Sequence, residues 1–180
     1  ALEGYDLSCL KTVFMAGERL DPPTYHWVKD LLGVPVVDHW WQTETGWAIC
    51  GNLMGVEPKA PKAGSSTLPS PGFNVQILDD EGRELGPNEQ GNVSIKLPLP
   101  PSCLPTICGD FERFQTGYLS TFEGYYVSGD GGYKDEDGYV YIMGRTDDVI
   151  NVAGHRLSTG EMEEVLAAHP DVAECAVIGV

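Results

Sequence analysis

Residues 36–46 of the chain, VVDHWWQTETG, decide how the rest of the sequence is interpreted. The β-branched residues after Gly33 and Pro35 predict a short buried strand, which is followed by a loop of unusual composition. A simple turn would be built from Gly, Asn or Pro. This loop instead carries two indoles, an amide, two hydroxyls and a carboxylate, which offer stacking surfaces, neutral donors and one metal-binding oxygen group. We interpret it as a binding loop.

A βαβ unit is predicted around this segment. Residues 10–16 have the apolar composition of a strand, and Asp21 with the two prolines that follow it is typical of a helix start. Gly33 is predicted to end this helix before the chain returns as a strand at residues 34–37. The predicted apolar face of the helix consists of Val28, Leu31 and Leu32.

The topology of this unit should bring two loops together. Two parallel strands joined by a crossover point in the same direction, so the residues that follow each strand emerge at the same edge of the sheet. Open α/β sheets bind their ligands at that edge. We therefore expect residues 17–19 and 38–43 to be neighbours in one site.

An antiparallel β subdomain is predicted after a long connection. Residues 51–72 are rich in Gly, Pro, Lys and Ser and have no apolar period, which is typical of a surface connection. The alternating patterns that follow predict strands separated by turns at residues 79–82 and 135–138. Asp130 is expected in a glycine-rich turn. The predicted strands cover residues 73–78, 92–97, 124–130 and 139–143.

A second series of alternating strand and helix patterns begins in the last part of the chain. A strand is predicted at residues 149–152, with a turn at Gly154. Ser158 and the glutamate three residues later have the spacing of a capping box, and a proline ends the helix that they begin. Residues 173–180 predict another apolar strand. The apolar face of the helix is predicted to contain Met162, Val165 and Leu166.

The composition and net charge of the chain argue against some classes of binding partner. The chain has 180 residues and 42% hydrophobic content, which is ordinary for a globular core. Its 11 basic and 27 acidic residues give a net charge of −16, which argues against nucleic acid or an anionic membrane as a partner. Most of these carboxylates are expected to form a solvated surface.

The cysteines predict a reducing compartment, and the hydropathy of the sequence predicts a soluble protein. The five cysteines are scattered and include no C-x-x-C pair, so neither a disulfide framework nor a zinc site is indicated. No apolar stretch of about 18 residues could span a membrane, and no signal-like segment opens the chain. We expect a soluble protein of the cytoplasm, or of the mitochondrial matrix in a eukaryote. The sequence leaves the oligomeric state open.

Three segments together resemble one enzyme family. The WWQTETG run, the AGER motif at residues 16–19 and GRTDDVINVAGHR at residues 144–156 resemble the AMP-forming acyl-CoA synthetases, and most closely the short-chain acetate and propionate ligases. The resemblance implies an α/β plus antiparallel β fold. Residues 1–146 would be the C-terminal part of the large domain, and residues 147–180 the hinge and the start of the small mobile domain. The family's phosphate loop would lie upstream and its catalytic lysine downstream.

The resemblance also implies the chemistry. ATP, Mg²⁺ and coenzyme A would serve to activate a small carboxylic acid. The implied catalytic residues are Thr43, Glu44 and Arg145, with Glu44 as the magnesium ligand. The implied nucleotide and substrate site consists of Gly17, Glu18, Arg19, Asp38, His39, Trp40, Trp41, Gln42, Thr43, Asp130, Ile142, Arg145 and Arg156.

Individual roles follow from the same resemblance. Asp130 would accept both ribose hydroxyls, Trp40 would pack along the adenine opposite Ile142, and Trp41 would close the acyl pocket. Thr43 and Gln42 would donate to the α-phosphate.

Other positions concern the substrate and the mobile domain. Ala16 stands where acetate ligases usually have valine, which leaves room for one more carbon and favours propionate. Asp147 would be the hinge. Ala153 replaces a serine that contacts coenzyme A in acetate ligases.

Each of these residues has a purely structural alternative. Gly-Asp-Gly is a common turn, adjacent tryptophans are ordinarily core residues, the Thr43 hydroxyl could cap a turn, and arginines in an acidic chain could form surface salt bridges. Two alternative functions also stay open. The first is an adenylating enzyme that transfers its acyl group to a carrier protein, and the second is a nucleotide-binding module without catalysis.

Overall fold

The structure is a computed structural model, and it describes residues 2, 4–148, 150–152, 155–169, 171–172 and 175–179, with the side chains of residues 151, 152, 155, 156, 161 and 164 outside that description. Among the described residues, no helix is long and apolar enough to cross a bilayer. The fold contains a small parallel βαβ unit, a four-stranded antiparallel sheet and a short C-terminal βα segment. The predicted fold class, α/β plus antiparallel β, is confirmed.

The βαβ unit consists of β1 (Val13–Met15), α1 (Pro22–Leu32) and β2 (Val36–Asp38). The strands are parallel, and Met15 pairs with Asp38. The Asp21 carboxylate caps α1 by accepting a hydrogen bond of 2.9 Å from the Thr24 amide. Gly33 ends the helix in the left-handed region, with φ of 64°. The predicted limits of α1 are confirmed. They could be predicted because the two capping residues, Asp21 and Gly33, are recognisable in the sequence.

The predicted apolar face of α1 is partly wrong. Leu31 is 50% exposed, whereas Tyr25 and Val28 are buried and pack with Leu32 against β2. A helix that contacts a two-stranded sheet needs only a narrow apolar stripe, and Tyr25 lies one turn before Val28 on that stripe.

The second sheet has the order β3-β4-β5-β6 and is antiparallel throughout. Its two faces differ, because alternate residues of β3 and β4 enter the main core, where Val93 and Ile95 are fully buried. Trp40 packs against the edge of this core. The strands are β3 (Val75–Leu78), β4 (Gly91–Lys96), β5 (Tyr125–Lys134) and β6 (Val140–Arg145).

The predicted turn at Asp130 is a strand with a bulge. β5 continues to Lys134, so Asp130 lies inside it and pairs with Val93. The register shifts next to this pair, which places Ser128 and Gly129 in a bulge. Gly129 has φ of 74°, and a side chain there would collide with the guanidinium of Arg145. The glycines therefore shape a strand rather than end it.

The connection 51–72 is only partly a surface connection. It lacks regular structure, but its second half enters the interior and pairs its backbone with two neighbouring segments. The Ser66 amide donates to the Val140 carbonyl at 3.0 Å, and the Ser70 amide donates to the Ile49 carbonyl at 2.8 Å. The prediction of a wholly exposed connection is therefore wrong. Its buried polar residues are Asn52, Ser65, Ser66, Thr67 and Ser70.

One helical segment was absent from the predictions. A short helix α2 (Phe111–Phe114) continues into a π-helical turn at Gln115–Leu119. The Asp110 carboxylate caps α2 by accepting from the Arg113 amide at 2.9 Å. The segment places Tyr118 against β5, with its ring stacked on that of Tyr126 at 5.5 Å between centroids.

The C-terminal segment forms a hairpin and a helix. β7 (Ile150–Val152) pairs with β8 (His155–Leu157), which was not predicted, and α3 (Thr159–Ala167) follows. Residues 175–179 contain no strand, so this part of the predicted strand 173–180 is wrong. The expectations for Ala153, for the turn at Gly154 and for the proline at the end of the helix lie outside the described residues.

Candidate functional site

A cleft of about 1420 Å³ lies at the carboxyl ends of β1 and β2. β5 and β6 contribute its second wall, and α3 with the residues after it contributes a third. The structure thus brings the loops after β1 and β2 together at one edge. The predicted site residues that line the cleft are Gly17, Glu18, Arg19, Asp38, His39, Trp40, Trp41, Gln42, Asp130, Ile142 and Arg145.

Two predicted site residues lie beside the cleft and do not line it, and a third has a side chain that is not described. Thr43 and Glu44 lie in the 3₁₀ turn Thr43–Thr45 directly after the cleft residues, and neither is among the lining residues. The Glu44 carboxylate accepts a hydrogen bond of 3.0 Å from the Tyr118 hydroxyl. The side chain of Arg156 lies outside the described residues. The roles predicted for these three residues stay predictions.

Gln42 is the centre of a hydrogen-bond network beneath the cleft. Its amide nitrogen donates to the Ser128 carbonyl at 2.7 Å and to the Asp130 carboxylate at 2.9 Å. Its amide oxygen accepts from the Tyr126 hydroxyl at 2.9 Å. Both amide hydrogens are therefore given to protein acceptors. The expected donation from Gln42 to a phosphate does not match this arrangement.

The Asp130 carboxylate is held from two sides. Gln42 donates to one of its oxygens, and the Arg145 guanidinium lies 3.5 Å from the other. Burial raises the pKa of Asp130, and the Arg145 charge and hydrogen bonding from Ser128 and Trp40 oppose that rise. Asp130 is 7% exposed and still lines the cleft. Its carboxylate is therefore a desolvated hydrogen-bond acceptor for a ligand that enters the cleft.

Arg145 ends β6 and crosses the bulge of β5. Its Nη1 donates to the Ser128 carbonyl at 3.0 Å, and its Nε donates to the Asp147 carboxylate at 3.2 Å. The guanidinium lies over Gly129, where the absence of a side chain makes room for it. The positive charge is thus fixed at the cleft wall between two carboxylates.

Asp38 and His39 form the floor of the cleft where β2 ends. Burial raises the pKa of Asp38 to about 6, against the opposing influence of the Arg19 charge and of the hydrogen bond from the His39 backbone. The His39 ring packs edge-on against Phe14, with 5.9 Å between centroids. Its Nδ1 is buried and has no hydrogen-bond partner among the described residues.

The pKa of Asp38 predicts a pH dependence of stability. A carboxyl group whose pKa is raised from 3.8 to about 6 by folding stabilises the fold in its neutral form, and this contribution is lost as pH rises through 6. Asp38→Asn should therefore raise the apparent melting temperature of the full-length protein at pH 7.5, and the gain should shrink towards zero at pH 4.5. Differential scanning calorimetry at both pH values measures it.

The matched control is Asp30→Asn, which changes an exposed carboxylate of α1. It should leave the melting temperature nearly unchanged at both pH values. An Asp38→Asn protein that is less stable than the parent protein at pH 7.5 would contradict the burial of this carboxyl group.

The charge of the cleft is mainly negative. Among the described residues of its walls, two guanidinium groups, those of Arg19 and Arg145, face seven carboxylates. An anionic ligand would therefore need a cation as well as these arginines. The carboxylates that line the cleft are Glu18, Asp21, Asp38, Asp130, Asp147, Asp148 and Glu163.

The donor groups fit magnesium only together with a phosphate ligand. The described part of the chain contains no group of three or more His, Cys, Asp or Glu side chains placed to hold a metal ion. Mg²⁺ commonly takes one or two protein carboxylates and completes its shell with phosphate oxygens and water. The single carboxylate of Glu44, predicted as the metal ligand, is compatible with that arrangement.

Comparison with known proteins identifies the family. The profile of the AMP-binding enzymes matches residues 1–99. The chain belongs to the AMP-binding enzyme family. An uncharacterised protein of Pseudomonas aeruginosa is 60% identical over 98% of this chain and 28% of its own length. The propionate–CoA ligase of Escherichia coli is 49% identical over 98% of this chain and 28% of its own length.

Two further relatives support this assignment. The human mitochondrial acyl-CoA synthetase short-chain family member 3 is 48% identical over 97% of this chain and 26% of its own length. The crystal structure of an anthranilate CoA ligase in complex with anthranoyl-AMP superimposes with a TM-score of 0.83 at 31% identity, covering 98% of this chain and 32% of that one. This AMP-binding enzyme chain thus spans about a quarter to a third of the length of these relatives.

Sequence reasoning missed three contributors to the site of this AMP-binding enzyme. Tyr126 and Tyr118 hydrogen-bond to Gln42 and Glu44 from 84 and 74 residues away. Ser128 binds both Gln42 and Arg145 through its carbonyl oxygen. The only signal for the tyrosines was their hydroxyl, because a buried tyrosine usually needs a partner for that group.

Proposed function

We propose that the full-length protein is an AMP-forming ligase that activates a short-chain carboxylic acid with ATP and transfers the acyl group to coenzyme A. Propionate is the favoured acid and acetate the second. One observation carries the proposal: a single cleft gathers residues 17–19, Trp40, Trp41, Asp130 and Arg145, which the family resemblance assigns to nucleotide and acid. The similarity to a propionate–CoA ligase over nearly the whole chain supports the same conclusion.

Different residues of the cleft contact the nucleotide and the acid. Trp40 is partly buried against the main core and offers a fixed indole face to the adenine, with Ile142 opposite. Asp130 accepts the ribose hydroxyls through charge-assisted hydrogen bonds. Trp41 follows Trp40 and is 47% exposed, so its indole is available to limit the length of the acid. Ala16, before the cleft residue Gly17, leaves space for one methyl group more than acetate has.

The phosphates would lie towards Arg145 and the turn Thr43–Thr45. Arg145 supplies a fixed positive charge at the cleft wall, and the Thr43 hydroxyl supplies a donor. Glu44 would hold Mg²⁺ with the phosphate oxygens, and the ion would neutralise charge there when bound. Because carboxylates outnumber guanidinium groups among the described residues of the cleft, those residues do not balance a triphosphate.

The proposed reaction has two steps. An oxygen of the acid attacks the α-phosphorus of ATP, a P–O bond forms, and the bond to pyrophosphate breaks. The sulfur of coenzyme A then attacks the acyl carbon, and the C–O bond to AMP breaks. Neither step needs a covalent enzyme intermediate, so the residues of this chain act by positioning the nucleotide and the acid and by stabilising charge.

The domain organisation and compartment belong to the same proposal. Residues 1–146 form the end of the large domain, and residues 147–180 form the hinge, at Asp147, and the start of the mobile domain. The cytoplasm, or the mitochondrial matrix in a eukaryote, is the proposed location. Arg156 would reach the phosphates from the mobile domain.

Pyrophosphate exchange on the full-length protein tests the function. ATP–pyrophosphate exchange is measured with acetate, propionate, butyrate and hexanoate, followed by formation of the CoA thioester. We expect exchange without coenzyme A, the highest kcat/KM with propionate, and thioester formation once coenzyme A is added. Exchange without thioester formation would favour transfer to a carrier protein. AMP binding without exchange on any acid would favour a non-catalytic module.

A further inference from the structure

We infer that Tyr126 is a positioning residue of the nucleotide site: its buried hydroxyl fixes the Gln42 amide, and Gln42 in turn holds the Asp130 carboxylate in the orientation that receives the ribose. The inference rests on the proposed function only for the identity of the ligand. The chain of contacts itself runs from the core to the cleft wall through two hydrogen bonds of 2.9 Å each.

The orientation of the Gln42 amide is dictated by its neighbours. The Ser128 carbonyl and the Asp130 carboxylate can only accept, so the nitrogen of Gln42 must face them. The amide oxygen then faces the Tyr126 hydroxyl, which donates to it. If the amide rotated by half a turn, its oxygen would face two acceptors. Tyr126 therefore supplies the donor that matches the one productive orientation.

Tyr126 is itself immobile and stays protonated. Its side chain is 1% exposed, and its ring stacks on Tyr118 with an angle of 4° between the planes. Burial and the nearby negative groups raise the pKa of its phenol. The hydroxyl therefore remains a hydrogen-bond donor at neutral pH.

Gln42 supplies one of the donors that fix Asp130. It binds the Oδ2 atom, while Arg145 lies beside Oδ1 at the longer distance of 3.5 Å. Arg145 is half exposed, and its guanidinium is shared between Asp130 and Asp147. The Gln42 side chain is held to β5 by three hydrogen bonds, with Ser128, Asp130 and Tyr126, which restrict its orientation. Loss of the Tyr126 hydroxyl leaves the amide oxygen without its donor, so the Gln42 amide would be held by two hydrogen bonds in place of three and would position Asp130 less firmly.

The first test is Tyr126→Phe in the full-length protein, with Tyr125→Phe as the matched control. Tyr125 is the adjacent residue, but its hydroxyl binds Glu84 on the outer surface. Tyr126→Phe should raise the Kd for AMP, measured by calorimetry, and the KM for ATP about tenfold, as expected for one buried hydrogen bond. The KM for the acid and for coenzyme A should stay within about twofold. Tyr125→Phe should change none of these values.

A double-mutant cycle separates positioning from packing. If Tyr126 acts through Gln42, the Kd for AMP of the double variant Gln42→Ala, Tyr126→Phe should equal that of Gln42→Ala alone. Additive losses, or an unchanged Kd in Tyr126→Phe, would overturn the inference. AMP binding is measured without any acid, so a parent protein that binds AMP but activates no acid would refute the proposed reaction and still test Tyr126. A parent protein that binds no AMP would refute both.

Discussion

Asp130→Ala should lower kcat/KM for acyl-AMP formation at least about 100-fold and weaken AMP binding by a similar factor. The expected size follows from the loss of two charge-assisted hydrogen bonds to the ribose, each worth roughly 1.5–3 kcal/mol. The apparent melting temperature should change little. Burial raises the pKa of Asp130, so the fold gains little from the charged carboxylate that the substitution removes.

The measurements are pyrophosphate exchange, calorimetric binding of AMP and scanning calorimetry on the full-length protein. Asp137→Ala is the control, since Asp137 lies in the exposed turn after β5 and pairs with Lys62 away from the cleft. It should leave exchange and AMP binding unchanged. If Asp130→Ala bound AMP as tightly as the parent protein, Asp130 would have only a structural role in β5.

Trp41→Gly should change the acid that the enzyme prefers. Since Trp41 is proposed to close the acyl pocket, removal of its indole should open the end of that pocket, and the ratio of kcat/KM for hexanoate to that for propionate should rise about 100-fold or more. Each methylene buried in an apolar pocket is worth roughly 1–3 kcal/mol of discrimination, and hexanoate has three more than propionate. Propionate should lose activity because it would no longer fill its pocket.

Trp47→Gly is the matched control for this change. Trp47 is 63% exposed and lies five residues after Gln42, and it is not among the residues that line the described part of the cleft. It should leave the ratio of the two acids unchanged. A hexanoate to propionate ratio that stays constant in Trp41→Gly would exclude this indole as the end of the acyl pocket.

The sequence predicted those elements whose ends are encoded locally. Asp21 and Gly33 mark the limits of α1, and alternation marks the cores of the four antiparallel strands. The side chains that depend on a distant neighbour were predicted less well. Leu31 fits the helical period as well as Val28 does, but only the position of β2 decides which of them is buried.

The features of the site also separate into those that local sequence predicts and those that depend on distant residues. The meeting of the loops after β1 and β2 followed from parallel topology alone. The network around Gln42 did not, because its partners Ser128, Asp130 and Tyr126 are more than 80 residues away. The predicted strand 124–130 ended at Asp130, and its continuation to Lys134 was missed. Glycines on both sides of Asp130 suggested a turn, whereas the bulge uses one of them to admit the Arg145 side chain.

The buried second half of the connection 51–72 has a consequence for evolution of the enzyme. Ser66 and Ser70 tie this segment to β6 and to the residues after the turn Thr43–Thr45 through main-chain hydrogen bonds to Val140 and Ile49. Such bonds depend on the path of the backbone and much less on which side chain each position carries. Substitutions that keep the small size of these buried side chains should therefore preserve the path of the segment, whereas larger side chains should displace it.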